Sequence, residues 1–435
     1  MTLERPLPMK LILLSTSSLA LLAPMTRAGN VLVVDTNGSG QFFRIQRAID
    51  AASDGDTILV KTGVYPGFTI DDKSVAVVAD TGQDVSVAGG VLIRDLAAHR
   101  DVLLLGLTIA QNTPNQFPAS AVYLYHNDGS VRFEECLLQG VGGGVPSGDG
   151  ADVHYSADVA FARCQLVGGS EGFAGSGMDC EDSRVALYDS SFQGGTSSDH
   201  FGFDGHCYGA DGGRGLWAHD NVPAFPTFVF AAGSSFAGGN GGSGGFGPGI
   251  GCQCGNDTGS GGWGLWADGG APLHLLDDAF AGGHAGTSPP CVTCCFTLGG
   301  CCPGSDGFGF HGPGAESFDG GSRHLGIASP QRENSTVSLR LDGAAGDMAY
   351  LFLSSRTSLR FVAGYRGVQL TQQPGPPMFL GTLDSAGVLN GQLHIPELGI
   401  GEPSATLFLQ AAVRDLQGRW TFSSPVSLVV LDQEF

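Results

Sequence analysis

The chain has 435 residues, 71 of them glycine, with 42% hydrophobic residues and a formal net charge of −21. That length allows two or three domains and a large core, and the hydrophobic share excludes a disordered chain. The glycines follow no three-residue period, which excludes collagen, and the acidic balance excludes nucleic acid and anionic membrane surfaces as partners.

Residues 1–28 read as an export signal. Arg5 and Lys10 precede the apolar run Leu11 to Leu22, and Thr26-Arg27-Ala28 supplies a small-residue cleavage site. The run is too short to stay as an anchor, and no later stretch is long enough to cross a membrane. The expected product is secreted or held at the cell surface, with no transmembrane segment. Cleavage removes Arg5, Lys10, Arg27 and Glu4, leaving a chain two charges more negative, with Lys61 and Lys73 its remaining lysines. Such a surface is compatible with a neutral extracellular polysaccharide, with calcium, or with solubility alone.

Eleven cysteines are present, ten of them from Cys164 to Cys302. Export makes disulfides the first expectation, and the odd total leaves one thiol over. Cys291, Cys294, Cys295, Cys301 and Cys302 also have zinc-like spacing, but disulfides are the preferred reading.

Asn30 to Asp35 is an expected strand, followed by a Gly-rich turn. Phe43 to Ala52 places Ile45, Ala48, Ile49 and Ala52 on one helical face. Thr57 to Val60 is the next strand, then the turn Lys61-Thr62-Gly63 and Tyr65-Pro66-Gly67-Phe68. A single helix here covers the open apolar end and unpaired edge of a solenoid.

The segment FFRIQRAIDAASDGDTILVKTGVYPGFTI resembles the N-terminal cap and first coil of the pectin-lyase-like right-handed parallel β-helix superfamily. The shared pattern is an Ile-Gln-x-Ala-Ile-Asp helix, then Gly-Asp-Thr-Ile, then Gly-x-Tyr. The resemblance implies an all-β fold, a right-handed parallel β-helix with an N-terminal capping helix. Carbohydrate esterases, lyases, hydrolases and surface proteins share this fold, so it does not imply one activity.

The segment from Gly148 to Gly195 states one pattern twice: two short strands, a bend, an apolar residue and Gly-Gly. The other coils align with it on Leu107, Cys136, Cys164, Ser190, Ser234 and Asp278, in steps of 29, 28, 26, 44 and 44 residues. The longer steps hold Gly-rich loops near 196–213, 239–262 and 283–306, all leaving along one side. Cys136 and Cys164 share a slot on neighbouring coils. An inward ladder of small apolar groups is preferred there over a disulfide.

In the first strand of each coil, Val122/Leu124, Ala151/Val153, Met178/Cys180, Leu216/Ala218, Leu265/Ala267 and Phe308/Phe310 are expected to face the core. Two outward columns remain. One is Tyr123, Asp152, Asp179, Trp217, Trp266 and Gly309; the other is Tyr125, His154, Glu181, His219, Asp268 and His311. Rings that stack on sugar faces, beside carboxylates that accept hydroxyl hydrogen bonds, suit a glycan. Loops folded over the rings would make a second core instead.

Asp152, Asp179 and Glu181 are the catalytic candidates. Stacked carboxylates raise one pKa, as a general acid requires, at a spacing of about 5 Å that retaining glycosidases use. A calcium site or a solvated acidic stripe explains the pair as well. The alternation His154, Glu181, His219, Asp268, His311 suits either a metal or ion pairing.

No complete catalytic motif of the superfamily occurs. Gly63-Val64-Tyr65-Pro66-Gly67 lacks the acidic residue of a pectinesterase, and Phe310-His311-Gly312 lacks the first glycine of a polygalacturonase motif. Met178-Asp179-Cys180-Glu181-Asp182 is a loose echo of the latter's acidic motif. No arginine stands on the columns for a pectate-lyase-like proton acceptor. The expected organisation is a signal at 1–28, a β-helix at 29–328 and an antiparallel, sandwich-like β-domain at 329–435. The first functional reading is an exported, non-catalytic protein that binds polysaccharide. A polysaccharide-degrading lyase or glycoside hydrolase is the alternative, and a structural or adhesive protein the third.

Overall fold

The structure is a computed structural model that describes residues 28–113, 119–143, 147–201, 207–222, 225–242, 258–268, 271–286, 304–372 and 374–435. The signal expected at 1–28 falls outside these apart from Ala28. So do Cys252, Cys254, Cys291, Cys294, Cys295, Cys301 and Cys302, and with them most of the disulfide expectation.

The fold is a parallel β-helix followed by antiparallel sheets. The third strands of the coils form an eight-stranded parallel sheet running from Gly63–Pro66 to Ala279–Ala281. In its registers Thr108 meets Leu137, Leu137 meets Gln165, Gln165 meets Ser191, Ser191 meets Ser235 and Ser235 meets Ala279. All six alignment anchors therefore stand in one column. The first and second strands form the other large parallel sheet. Coil on coil, identical side chains stack inward: Phe192 on Phe236 at 5.0 Å and Phe236 on Phe280 at 5.5 Å. The helix Ile45–Ala51 buries Ile45, Ala48 and Ile49 on the end of this stack.

Cys136, Cys164 and Cys180 are buried free thiols, joined by no disulfide. Cys136 and Cys164 aim their Sγ atoms at backbone carbonyls of Glu134 (3.3 Å) and Ala162 (3.4 Å). Ser190 fills the next position of the slot, and its Oγ accepts the Cys164 amide at 3.0 Å.

Glycine is abundant for a packing reason. The legs entering and leaving the long loops interleave, Gly239 N donating to Gly213 O and Gly262 N to Gly239 O, each at 2.8 Å. A Cβ on Gly239 would stand 1.9 Å from Gly195 O, and one on Gly262 1.9 Å from Gly213 O. No other residue fits this spacing without moving backbone.

The second strands are apolar on both faces, as strands covered on both sides must be. Val159 and Phe161 face inward, while Ala160, Ala162, Ala186, Tyr188 and Phe230 pack outward on Leu359, Val368 and Leu370. Nearer the helix cap, Leu103 and Leu105 pack on Val429 and Leu431. The C-terminal β-domain thus lies along the flank of the coils. Its sheets bring together Met348–Ser354, Met378–Thr382, Ser404–Arg414 and Trp420–Leu431 on one side, and His324–Ile327, Thr336–Asp342 and Val388–His394 on the other. The strand His324–Ile327, ahead of the expected boundary, pairs with Thr336–Asp342. Met378–Thr382 and Val388–His394 are consecutive in sequence but join different sheets.

Candidate functional site

Parallel pairing puts Tyr123, Asp152, Asp179, Trp217 and Trp266 in one outward column. Tyr125, His154, Glu181 and His219 share the second. Asp268 ends that column, its carboxylate accepting Trp217 Nε1 at 3.2 Å.

The last coil departs from expectation. Trp266 pairs with His311 and Leu265 with Phe310, so His311 belongs to the first column and Gly309 aligns with Gly264. Phe308, expected in the core, is 64% exposed. The reason is the repeated Gly-x-Gly before each strand. A Cβ at Gly309 would lie 3.0 Å from Phe280 O, so the glycine marks where backbone packs and the strand is set two residues later than expected.

The middle residue of Gly-x-Gly supplies a third column that the sequence reading missed. Gly150 N donates to Ser176 O, Gly177 N to Arg214 O, Gly215 N to Trp263 O and Gly264 N to Phe308 O. Asp149, Ser176, Arg214, Trp263 and Phe308 are therefore stacked. The signal was present: the middle residue of each Gly-x-Gly stands three positions before a first-column residue, a spacing repeated in every one of these coils.

Arg214 changes the reading of the rings. Its guanidinium sits 4.5 Å from the Trp217 ring and 5.6 Å from that of Trp266. His219 stacks on Trp217 at 4.2 Å and His311 on Trp266 at 4.3 Å. The indoles are half-buried, as neither full burial nor open display would have it. Arg214 and the two imidazoles pack against the indoles as a cation–π ladder. Tyr123 and Tyr125 stack at 6.0 Å at the other end of the face.

The acidic centre is tighter than two stacked aspartates. One carboxylate oxygen each from Asp149, Asp152 and Asp179 lie within 4.8 Å of one another. His154 joins Asp152 through Nε2 and Glu181 through Nδ1, the latter at 2.6 Å. His219 Nε2 meets Asp179 at 2.9 Å, and Asn221 Nδ2 donates to Glu181. Burial, with the charges of Asp179 and Asp152, holds the Asp149 carboxyl well above the usual range. Burial also raises Asp152, against the pull of His154. Burial alone would lower His154, but the Asp152 hydrogen bond and the surrounding carboxylates raise it to about 9. Tyr123 is pushed to about 12 by burial and the Asp152 charge. The face therefore sets a carboxyl whose protonated form is favoured by burial beside a histidine held charged.

The three aspartates are hard oxygen donors of the calcium type, but calcium takes six to eight oxygen ligands. Asp152 and Asp179 already hold a histidine each. The set as it stands is an ion-pair network and does not fit a calcium cage.

Beside the second column, residues 220–222 and 225–227 overhang the turn. Asp182 anchors the overhang, its carboxylate accepting the amides of Asn221 (3.1 Å) and Val222 (3.0 Å). Under it opens a cavity of about 690 Å³ lined by Tyr155, Arg184, Phe225 and Phe228 among others. Phe225 is 62% exposed, and His126 and Tyr155 adopt left-handed backbone (φ 55 and 48), where bulky residues are rare.

Neither a protein-family description nor a curated protein matches this chain. Solved structures share limited similarity with it. Pectate lyase Pel9A is 14% identical over 60% of this chain and 79% of its own, with a TM-score of 0.25. The tailspike protein gp49 of Acinetobacter baumannii bacteriophage Fri1, a capsular polysaccharide depolymerase, is 8% identical over 88% of this chain and 72% of its own, with a TM-score of 0.15. A superoxide reductase (neelaredoxin) from Ignicoccus hospitalis is 9% identical over 25% of this chain and 80% of its own, with a TM-score of 0.16. At these values the chain's own strand registers carry the fold assignment.

Proposed function

We propose that the protein is an exported, distant relative of the pectin-lyase-like β-helices that binds a neutral polysaccharide across its first-strand face. The observation that supports this most is the side-by-side placement of donors and acceptors on the face. Burial favours the protonated form of Asp149, and His154 is held charged beside Asp152 and Glu181. A hydroxyl-rich ligand needs both, and the cavity beside Phe225 and Tyr155 adds apolar surface for a sugar ring. The net charge of −21 disfavours an acidic polymer. Affinity electrophoresis of the full chain against neutral polysaccharides tests this reading. Retardation that weakens in Glu181→Gln supports it; unaltered migration in every gel rejects it.

A second reading is cleavage of that polymer. The Asp149–Asp152–Asp179 cluster favours it, because a carboxylic acid and a carboxylate within 4.8 Å suit the acid and nucleophile of a retaining glycosidase. Asp149 would protonate the leaving oxygen and Asp179 attack the anomeric carbon. Release of reducing ends, lost in Asp149→Asn and in Asp179→Asn, is the expected result. Binding without such release leaves the first reading in place and removes this one.

A further inference from the structure

The turn after each second strand holds a residue in left-handed backbone. Asp189, Gly233 and Asp277 occupy it on three successive coils (φ 52, 62 and 61). Asp189 N donates to Ala232 O and Gly233 N to Leu276 O, each at 3.0 Å, so Gly233 lies between the two aspartates. Over the glycine passes the segment that leads into the C-terminal β-domain. His324 Nδ1 lies 2.5 Å from Asp189 Oδ1, and its Nε2 lies 3.1 Å from Ser322 Oγ. Asp277 Oδ2 accepts both the amide and the hydroxyl of Ser322, each at 3.1 Å.

The space above Gly233 is shaped for these three side chains. A Cβ there would stand 2.8 Å from Asp189 Oδ1, 2.9 Å from Ser322 Oγ and 3.0 Å from His324 Cε1. A cavity of about 470 Å³ opens beside them, lined by Gly320, Gly321, Ser322 and His324, with Asp277 and Asp342 adding negative charge. Neither Gly320 nor Gly321 donates its amide to an acceptor among the described residues. A hydroxyl within reach of an imidazole that a carboxylate orients is the arrangement of an activated nucleophile.

We propose that Ser322, His324 and Asp189 form a hydrolytic triad that cleaves small neutral carboxylic esters in this cavity, a site independent of the first-strand face. The Ser322 hydroxyl turns its proton from Asp277 to His324 Nε2, which takes it as Oγ bonds to the ester carbonyl carbon. The bond to the alcohol oxygen then breaks, the alcohol leaves with that proton, and Ser322 holds the acyl group. Water attacks in the same way, releasing the carboxylic acid and restoring Ser322. Asp189 keeps the proton of neutral His324 on Nδ1. The amides of Gly320 and Gly321 are the donors available to the oxyanion. Asp277 positions Ser322. The hydrogen bond to Asp189 raises His324, against burial, and Asp342 and Asp277 add to it. The base form therefore grows in above the usual imidazole range.

The test uses the full chain, p-nitrophenyl acetate and a fluorophosphonate probe. The expected result is a covalent adduct mapped by peptide analysis to Ser322, with hydrolysis that rises with pH. Ser322→Ala abolishes the adduct and returns hydrolysis to the buffer rate, and His324→Gln lowers it by about 100-fold or more. An unchanged melting temperature shows that the variants are folded. No adduct on the unaltered protein, or an adduct that maps elsewhere, overturns the triad without need of any variant. Hydrolysis undiminished in folded Ser322→Ala also overturns it.

Discussion

His154 Nδ1 lies 2.6 Å from Glu181 Oε2, one coil further along the stack, while its Nε2 holds Asp152 on its own strand. One imidazole thus ties two coils and two carboxylates together. Its pKa is raised from 6.5 to about 9 in the folded chain. A group raised on folding stabilises fully below its unfolded value and loses that contribution as the pH climbs through the folded one. Stability from His154 is therefore expected to be complete below about pH 6.5 and gone above about pH 9. Partial exposure screens the pair, which leaves a contribution of roughly 1–2 kcal/mol. Urea melts of the protein and of His154→Gln across this range check it. The difference between them should shrink as the pH rises, and a constant difference contradicts the assignment.

The glycine lattice makes a sharp prediction. Gly239→Ala places a methyl 1.9 Å from Gly195 O, which backbone must move to relieve. The expected loss is about 1–3 kcal/mol or more, as for other overpacked sites. Gly326→Ala is the control, since its Cβ would meet nothing nearer than Arg340 O at 3.9 Å. Chemical denaturation of both variants should separate them clearly.

Fluorescence should report on the first-strand face. The chain has four tryptophans, of which Trp217, Trp263 and Trp266 are on the face and Trp420 is in the C-terminal β-domain. A bound polysaccharide is expected to shift the emission, and Trp420→Phe should leave that shift intact. Arg214→Met removes the cation between Trp217 and Trp266 and should alter the unliganded spectrum. An unaltered spectrum in Arg214→Met would mean that the cation–π ladder does not persist in solution.

Glu134 joins the two parts of the molecule. It is buried, takes Arg163 Nη2 at 2.8 Å and accepts the amide of Ser427 at 3.0 Å. Removing one partner of a buried pair leaves the other charge uncompensated, at about 3–5 kcal/mol. Glu134→Ala is expected to lower the melting temperature and to expose the junction to proteolysis. Mapping the first cleavage sites checks this, and a cleavage pattern like that of the unaltered protein argues against it.

The third outward column shows where sequence reasoning stopped. Asp149 and Arg214 stand in plain view inside Gly-Asp-Gly and Gly-Arg-Gly. Glycine on both sides reads as a loop, whereas here it reflects backbone packed too closely for a Cβ. The same reading of the last Gly-x-Gly puts Phe308 in the core and His311 in the second column, where the strand register puts neither. Ser322, His324 and Asp189 could not be joined at all, since Asp189 is 135 residues from His324.

The amino-acid sequence by itself determined the coil. A period set by alternating short strands, a small inward residue and Gly-Gly leaves stacked parallel strands as the way to bury every apolar side chain, and six anchors in one register follow from it. The sequence also placed Asp152, His154, Asp179 and Glu181 on one face, because side chains alternate in a strand whatever surrounds them. Only the tertiary structure decided what those residues touch. His154 charged between two carboxylates, Arg214 between two indoles, and the C-terminal β-domain laid along the second strands all depend on distances between coils. Local pattern fixes the direction of a side chain; it carries no information about what arrives from a neighbouring turn of the solenoid.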